Sequence, residues 1–159
     1  MLIKGIKDEC FGDFKDIGML VIFPNCSFKC DRENGNQICQ NSHLAQENTF
    51  DVPIYKIVKR YTDNPISQAL ICGGLEPFDS MGDLYELLIA FRRVSDDPII
   101  IYTGYTESEC DKMVGVKQIR WIGNLYIKYG RFIPNQKLHY DELLGINLAS
   151  DNQYAKYYE

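Results

Sequence analysis

Nowhere in this sequence does an apolar run approach the roughly 18 residues that a membrane helix needs, and no charged leader followed by a long apolar stretch opens the chain. Neither a membrane span nor a signal peptide is expected, and the protein is assigned to the cytoplasm. Clusters of lysine and arginine are missing too. The formal net charge is -5, whereas a protein that tracks nucleic-acid phosphates carries a basic stripe, so no nucleic-acid partner is expected. Internal repeats and low-complexity linkers are absent, which leaves one domain over residues 1–159. A chain of that length buries roughly 70% of its unfolded surface and needs no covalent staples. The six cysteines are therefore read as serving metal binding, catalysis or packing inside a cell rather than disulfides. Cys10, Cys72 and Cys110 are assigned to packing.

What is present is an alternation of strand and helix signals. Met19-Leu20-Val21-Ile22-Phe23 reads as a buried strand ending at Pro24. Gln68 to Cys72 is a second, broken by Gly73-Gly74, and Ile99-Ile100-Ile101-Tyr102, an apolar β-branched run bounded by Pro98 and Gly104, is a third. Leu2 to Ile6 alternates as an edge strand does, and Cys10 to Asp13 forms a turn. Asp51 is placed as the N-cap of a helix with Pro53 in its first turn and Val52, Tyr55, Val58 and Tyr61 at helical spacing, closing near Asp63-Asn64-Pro65. Ser80 is placed as the cap of a helix whose core stripe is Leu84, Leu87, Leu88 and Phe91. Thr106-Glu107-Ser108-Glu109 has the form of a capping box and starts a short helix that ends by Gly115. Lys117 to Ile122 reads as a strand, Leu125 to Ile133 as a strand or hairpin around Gly130, and Tyr140 to Glu159 as a loop with one or two short helices. Tyr154, Tyr157 and Tyr158 in that tail are taken as packing residues. The alternation implies an α/β fold with mostly parallel strands joined by right-handed crossovers.

In such a sheet the loops that leave the strands share its carboxyl edge, where ligands bind. Those loops hold the chemistry-bearing residues. The first, residues 24–41, carries Cys26, Cys30 and Cys39; the second is Gly73-Gly74-Leu75-Glu76-Pro77; the third is Thr103-Gly104-Tyr105; a fourth is Gly123-Asn124. Three thiolates with no fourth cysteine or histidine at finger-like distance are too few for a closed structural zinc site, which takes four ligands. They suit a four-iron, four-sulfur cluster in which one iron keeps a position open. His43 is the nearest fourth candidate, and a zinc site completed by it is the alternative; by default His43 and His139 are loop or surface residues.

These segments resemble the radical S-adenosylmethionine superfamily, and most closely the small activating proteins of anaerobic ribonucleotide reductase. The likeness rests on the loop ending Cys39-Gln40-Asn41, on Gly73-Gly74-Leu75-Glu76-Pro77, on Ile101-Tyr102-Thr103-Gly104-Tyr105-Thr106, and on Ala149-Ser150-Asp151-Asn152-Gln153-Tyr154. The resemblance implies a partial (β/α) barrel with a 4Fe-4S cluster on Cys26, Cys30 and Cys39, whose open iron chelates the amino and carboxylate groups of S-adenosyl-L-methionine. One electron, from a donor such as flavodoxin, would cleave that cofactor to methionine and a 5'-deoxyadenosyl radical. In the activating proteins the radical takes a hydrogen from a glycine of a partner enzyme, in anaerobic metabolism. By the same resemblance Gly73 and Gly74 meet the methionine amino group through backbone, Glu76 and Pro77 complete that motif, Ile38 lies near the adenine, and Thr103, Gly104 and Tyr105 line the nucleoside side.

Two features depart from the superfamily pattern. Eight residues separate Cys30 from Cys39 where two are usual, and Leu75 stands between the glycines and Glu76. Lengthening the connection from about three to about nine peptide links costs roughly 1 kcal/mol of closure entropy, little beside iron–thiolate bonding, and Asn34-Gly35-Asn36 supplies turn chemistry. Two further readings stay open. One is a superfamily enzyme acting on a small molecule, like the 7-carboxy-7-deazaguanine synthases; the other, which Leu75 favours, is a non-catalytic iron–sulfur or zinc binding module.

Overall fold

The three apolar runs become neighbouring strands of one sheet in the computed structural model, which describes residues 1–159. The elements in chain order are β1 (Leu2–Ile3), β2 (Gly5–Cys10), β3 (Gly18–Phe23), α1 (Lys29–Asn34), β4 (Phe50–Asp51), α2 (Ile54–Thr62), β5 (Ala69–Gly74), α3 (Met81–Arg92), β6 (Ile99–Tyr102), α4 (Glu107–Cys110), α5 (Val116–Arg120), β7 (Leu125–Tyr129), β8 (His139–Asp141), β9 (Ile146–Leu148) and β10 (Tyr154–Tyr158). The central sheet has the order β10-β7-β6-β5-β3-β2. Its four inner strands β3, β5, β6 and β7 are parallel, and β2 and β10 close the edges antiparallel. The fold is α/β with a mostly parallel sheet, as the strand–helix alternation predicts. No helix is long and apolar enough to cross a membrane.

Side chains alternate along a strand, and the two faces of this sheet are covered by different means. Leu70, Cys72, Ile99, Ile101, Leu125 and Ile127 point to one face, where Ile57 and Tyr61 of α2, Leu84, Leu87, Leu88 and Phe91 of α3, and Val116 and Ile119 of α5 seal them into the larger core. Each such side chain, wholly buried, contributes about 1.5–3 kcal/mol. Tyr61 also donates its hydroxyl to Asp97 at 2.7 Å. The Arg92 guanidinium at the end of α3 donates to the carbonyls of Ser95, Asp97 and Gly123, fastening that helix to the turns that lead into β6 and β7. The opposite face carries Ala69, Ile71 and Ile100, under Phe14 from the loop after β2, Leu144 and Leu148 of the β8–β9 hairpin, and Ala155 of β10. That second cover reaches only part of the way, and the uncovered stretch lies at the carboxyl ends of the parallel strands.

Several local expectations are corrected. Asp51 belongs to β4, paired with Leu2 of β1; the residue at the N-cap position of α2 is Pro53, and no side chain caps the helix. Ser80 stands at the N-cap of α3 without bonding to it, and its hydroxyl accepts instead from Asn25 Nδ2 at 3.0 Å. Lys117 to Ile122 is not a strand: Val116 and Ile119, three apart, turn one helical face into the core as α5. No hairpin turns at Gly130; the antiparallel partner of β7 is β10 from the end of the chain. The tail is therefore strand, not loop and helix. The Tyr158 hydroxyl lies 2.8 Å from that of Tyr129, and the Tyr157 ring packs on Tyr126, which is the packing role assigned to these tyrosines. The box at Thr106 forms as read, with Thr106 Oγ1 accepting from Glu109 N and the Glu109 carboxylate accepting from Thr106 N.

Candidate functional site

Four adjacent strand ends set the floor of a cleft. Ile22 stands opposite Gly73 across the β3–β5 ladder, and Tyr102 opposite Lys128 across the β6–β7 ladder. A Cβ on Gly73 would reach 3.4 Å from Cβ of Tyr102, so its bare backbone leaves a low place in this row. The cleft above has a volume of about 560 Å³. Cys26, Cys30 and Cys39 line one wall, Gly73, Gly74, Leu75 and Glu76 the floor, Thr103, Gly104 and Tyr105 the next wall, and Lys128 and Arg131 the far side.

Gly74 has φ +84, and a Cβ there would stand 2.5 Å from Cγ2 of Ile22. Only glycine satisfies both the left-handed backbone and the close approach of β3. Its carbonyl accepts from Asn41 Nδ2 at 2.7 Å, and two residues on, Glu76 N donates to the Asn25 carbonyl at 2.8 Å. The strand end after β5 thus holds both ends of the cysteine loop. Leu75 packs inward, 6% exposed, and the next side chain also turns in. The buried Glu76 carboxylate accepts from Thr103 Oγ1 at 2.8 Å, from Gly104 N at 2.8 Å and from Phe78 N at 3.1 Å. Burial pushes this carboxyl up to about 7, although its three donors pull the other way. Lys128, equally buried, donates from Nζ to the Gly130 carbonyl at 2.8 Å. Desolvation brings its ammonium down to about 8, against the attraction of Glu76 and Cys30.

Polar contacts rather than a core hold the cysteine wall. Asp79 accepts from Ser27 N at 2.7 Å and from the Tyr105 hydroxyl at 2.6 Å, joining that wall to the loop after β6. Burial, followed by Asp79, pushes Tyr105 up to about 12. Cys26 Sγ accepts from Phe28 N at 3.3 Å, and burial pushes the Cys26 thiol up to about 12. Cys30 is raised by burial and then by the adjacent Cys39. Both thiols are protonated at neutral pH, and a metal would have to displace those protons. Between α1 and the far side of the cleft, Lys29 pairs with Glu109, Arg131 Nη2 binds the same carboxylate at 2.6 Å, and Arg131 Nε stands 3.1 Å from Glu33. The Arg131 guanidinium holds Glu109 well below the usual carboxylate range.

Nine of the residues singled out from the sequence meet in the cleft: Cys26, Cys30, Cys39, Gly73, Gly74, Glu76, Thr103, Gly104 and Tyr105. Ile38 and Pro77 do not line it; Ile38 points its amide at Asp31, and Pro77 is buried in the turn before α3. Cys10, Cys72 and Cys110 are buried and free. His43 lies on the cleft rim, exposed, and no three His, Cys, Asp or Glu side chains converge on a point that would hold a single ion. Cys30 and Cys39 lie next to each other on the cysteine wall, within reach of a side-chain hydrogen bond. Lys128 and Arg131 escaped the sequence reading. The signal for Lys128 is a lysine inside an otherwise apolar and aromatic strand, Leu125-Tyr126-Ile127-Lys128-Tyr129, where only a site or a buried partner justifies the charge; Arg131 has no such signal. Compared with known proteins, the chain matches no family model, no curated protein and no solved structure.

Proposed function

We propose that this cleft carries a 4Fe-4S cluster on Cys26, Cys30 and Cys39 with S-adenosyl-L-methionine beside it, and that the protein is a radical S-adenosylmethionine oxidoreductase activating a glycyl-radical enzyme, an anaerobic ribonucleotide reductase. The observation that carries the reading is that all three thiols share one cleft with Gly73-Gly74 and Thr103-Gly104-Tyr105. The strand order supports the finer description of the fold. The parallel strands follow one another in space as they do in sequence and pack their helices on one face, an order that a partial (β/α) barrel would also have, whereas a doubly wound sheet reverses its order.

Bound there, the cluster would supply the electron that cleaves S-adenosylmethionine to methionine and a 5'-deoxyadenosyl radical, which removes hydrogen from a partner glycine. The chain's own part is to bind and orient. Gly73 leaves backbone open to a ligand amino group. The Lys128 ammonium, with one protein acceptor, is the cation available to a ligand carboxylate. Glu76 fixes the Thr103-Gly104 turn by two hydrogen bonds.

The test is the low-temperature electron paramagnetic resonance spectrum of the anaerobically reconstituted, reduced protein, with and without S-adenosylmethionine. The expected result is a reduced four-iron signal that changes shape on adding the cofactor, and a glycyl radical once the partner reductase and an electron source are present. A cluster indifferent to the cofactor would leave a non-catalytic module, and no cluster at all would overturn the reading.

A further inference from the structure

We infer that Asp31 is the positioning residue of the long cysteine arm: its carboxylate takes the eight-residue connection out of line and sets Cys39 beside Cys30. The inference rests on the proposed cluster only for its purpose, not for its geometry. Asp31 Oδ1 accepts from Ile38 N and from Cys39 N, both at 2.8 Å. Its own carbonyl accepts from Gly35 N at 2.9 Å, and Gly35 closes α1 in the left-handed conformation. One residue therefore gathers three amides, and the chain from Arg32 to Gln37 is thrown outward, every residue of it exposed. Measured through hydrogen bonds, Cys39 follows Cys30 with only Asp31 between them.

A brace of this kind is needed because nothing apolar does the work. No residue of α1 is buried, so the arm has no core contact to choose one loop conformation among many. Two amides converging on one oxygen call for a charged acceptor, since charge-assisted hydrogen bonds are about twice as strong as neutral ones. Asparagine at this position could still accept both, more weakly; alanine could accept neither.

The test compares wild-type protein with Asp31→Asn and Asp31→Ala, each as the full chain. In the metal-free proteins, residue-resolved amide hydrogen exchange reads the brace directly. The Ile38 and Cys39 amides should exchange roughly tenfold faster in Asp31→Ala, the order expected on losing one charge-assisted bond, with Asp31→Asn in between. Far-ultraviolet circular dichroism should stay as in wild type and Tm should fall by only about 3–6 °C, because the arm lies outside the core. After anaerobic reconstitution with ferrous iron and sulfide, iron per chain should fall in the order wild type, Asn, Ala, and the electron paramagnetic resonance line shape should change in the Ala variant. Unchanged exchange at residues 38 and 39 in Asp31→Ala would overturn the inference, and so would full iron uptake with the wild-type line shape. Should wild-type protein take up no cluster while the two amides respond as stated, the cluster reading fails and the brace stands.

Discussion

From Ala69 to Phe78 every residue except Gly74 is buried, whereas from Pro24 to Lys56 none is. These stretches are the floor and the cysteine wall of one cleft, and they touch at Asn25–Glu76 and Asn41–Gly74. The floor is built by burial. Its strand lies between two parallel neighbours, with the larger core beneath and the smaller above. The wall is built from single polar contacts: Asp31 to two amides, Asp79 to Ser27, Lys29 to Glu109. The protein thus separates what keeps it folded from what would hold a cluster, so ligand loss and unfolding should be separable by mutation.

Gly74→Val should break the floor most severely. A left-handed φ costs a branched residue about 1–2 kcal/mol and the collision with Ile22 about 1–3 kcal/mol more, so urea denaturation should show a loss of about 4 kcal/mol. A loss no larger than that of an ordinary surface change would mean that the floor yields as easily as the wall. Acid–base behaviour sharpens the contrast at a slightly smaller scale. Glu76 ionises near pH 4.5 when unfolded and near 7 in the fold, so between those values the folded chain holds a proton that the unfolded chain has lost. Stability from this group is therefore full below about pH 4.5 and declines as pH rises through 7, by up to about 3 kcal/mol. Denaturation midpoints measured across that range should flatten in Glu76→Gln. Lys128 acts with the opposite sign above pH 8, where its lowered ammonium makes the fold release a proton that the unfolded chain keeps. In the wall, Lys29→Ala should cost only about 0.5 kcal/mol at low salt and still less at high salt, because the pair with Glu109 is partly exposed. A loss comparable with that of Gly74→Val would mean that the wall helps to hold the fold.

The same division decided what the sequence made legible. Ile99 to Tyr102 reads as a strand because burial on both faces demands a continuous apolar run, and Thr106 reads as a cap because its partner is three residues away. Cys26, Cys30, Cys39 and Gly73-Gly74 stand out because clustered thiols and paired glycines at a strand end are rare residue choices whose chemistry is legible without the fold. Lys117 to Ile122 reads as a strand rather than as part of α5 because five or six residues are too few to separate a helical period from an alternating one. Strand β10 was missed because its partner lies far back in the chain and its exposed face is tyrosine and lysine. Asp31 is ordinary in the sequence; its role depends on an arm that returns to it, which no local pattern records.

The two clamps on the cysteine arm also restrict how it can move. Asn25 is tied to Glu76 N and Asn41 to the Gly74 carbonyl, so both feet of the arm stand on the same few residues at the end of β5. Between those feet the arm is fastened again, at Ser27 to Asp79, at Lys29 to Glu109 and at Glu33 to Arg131. Lifting it off the cleft would mean breaking these polar contacts together, in water and at little cost to the core, while the sheet beneath keeps its register.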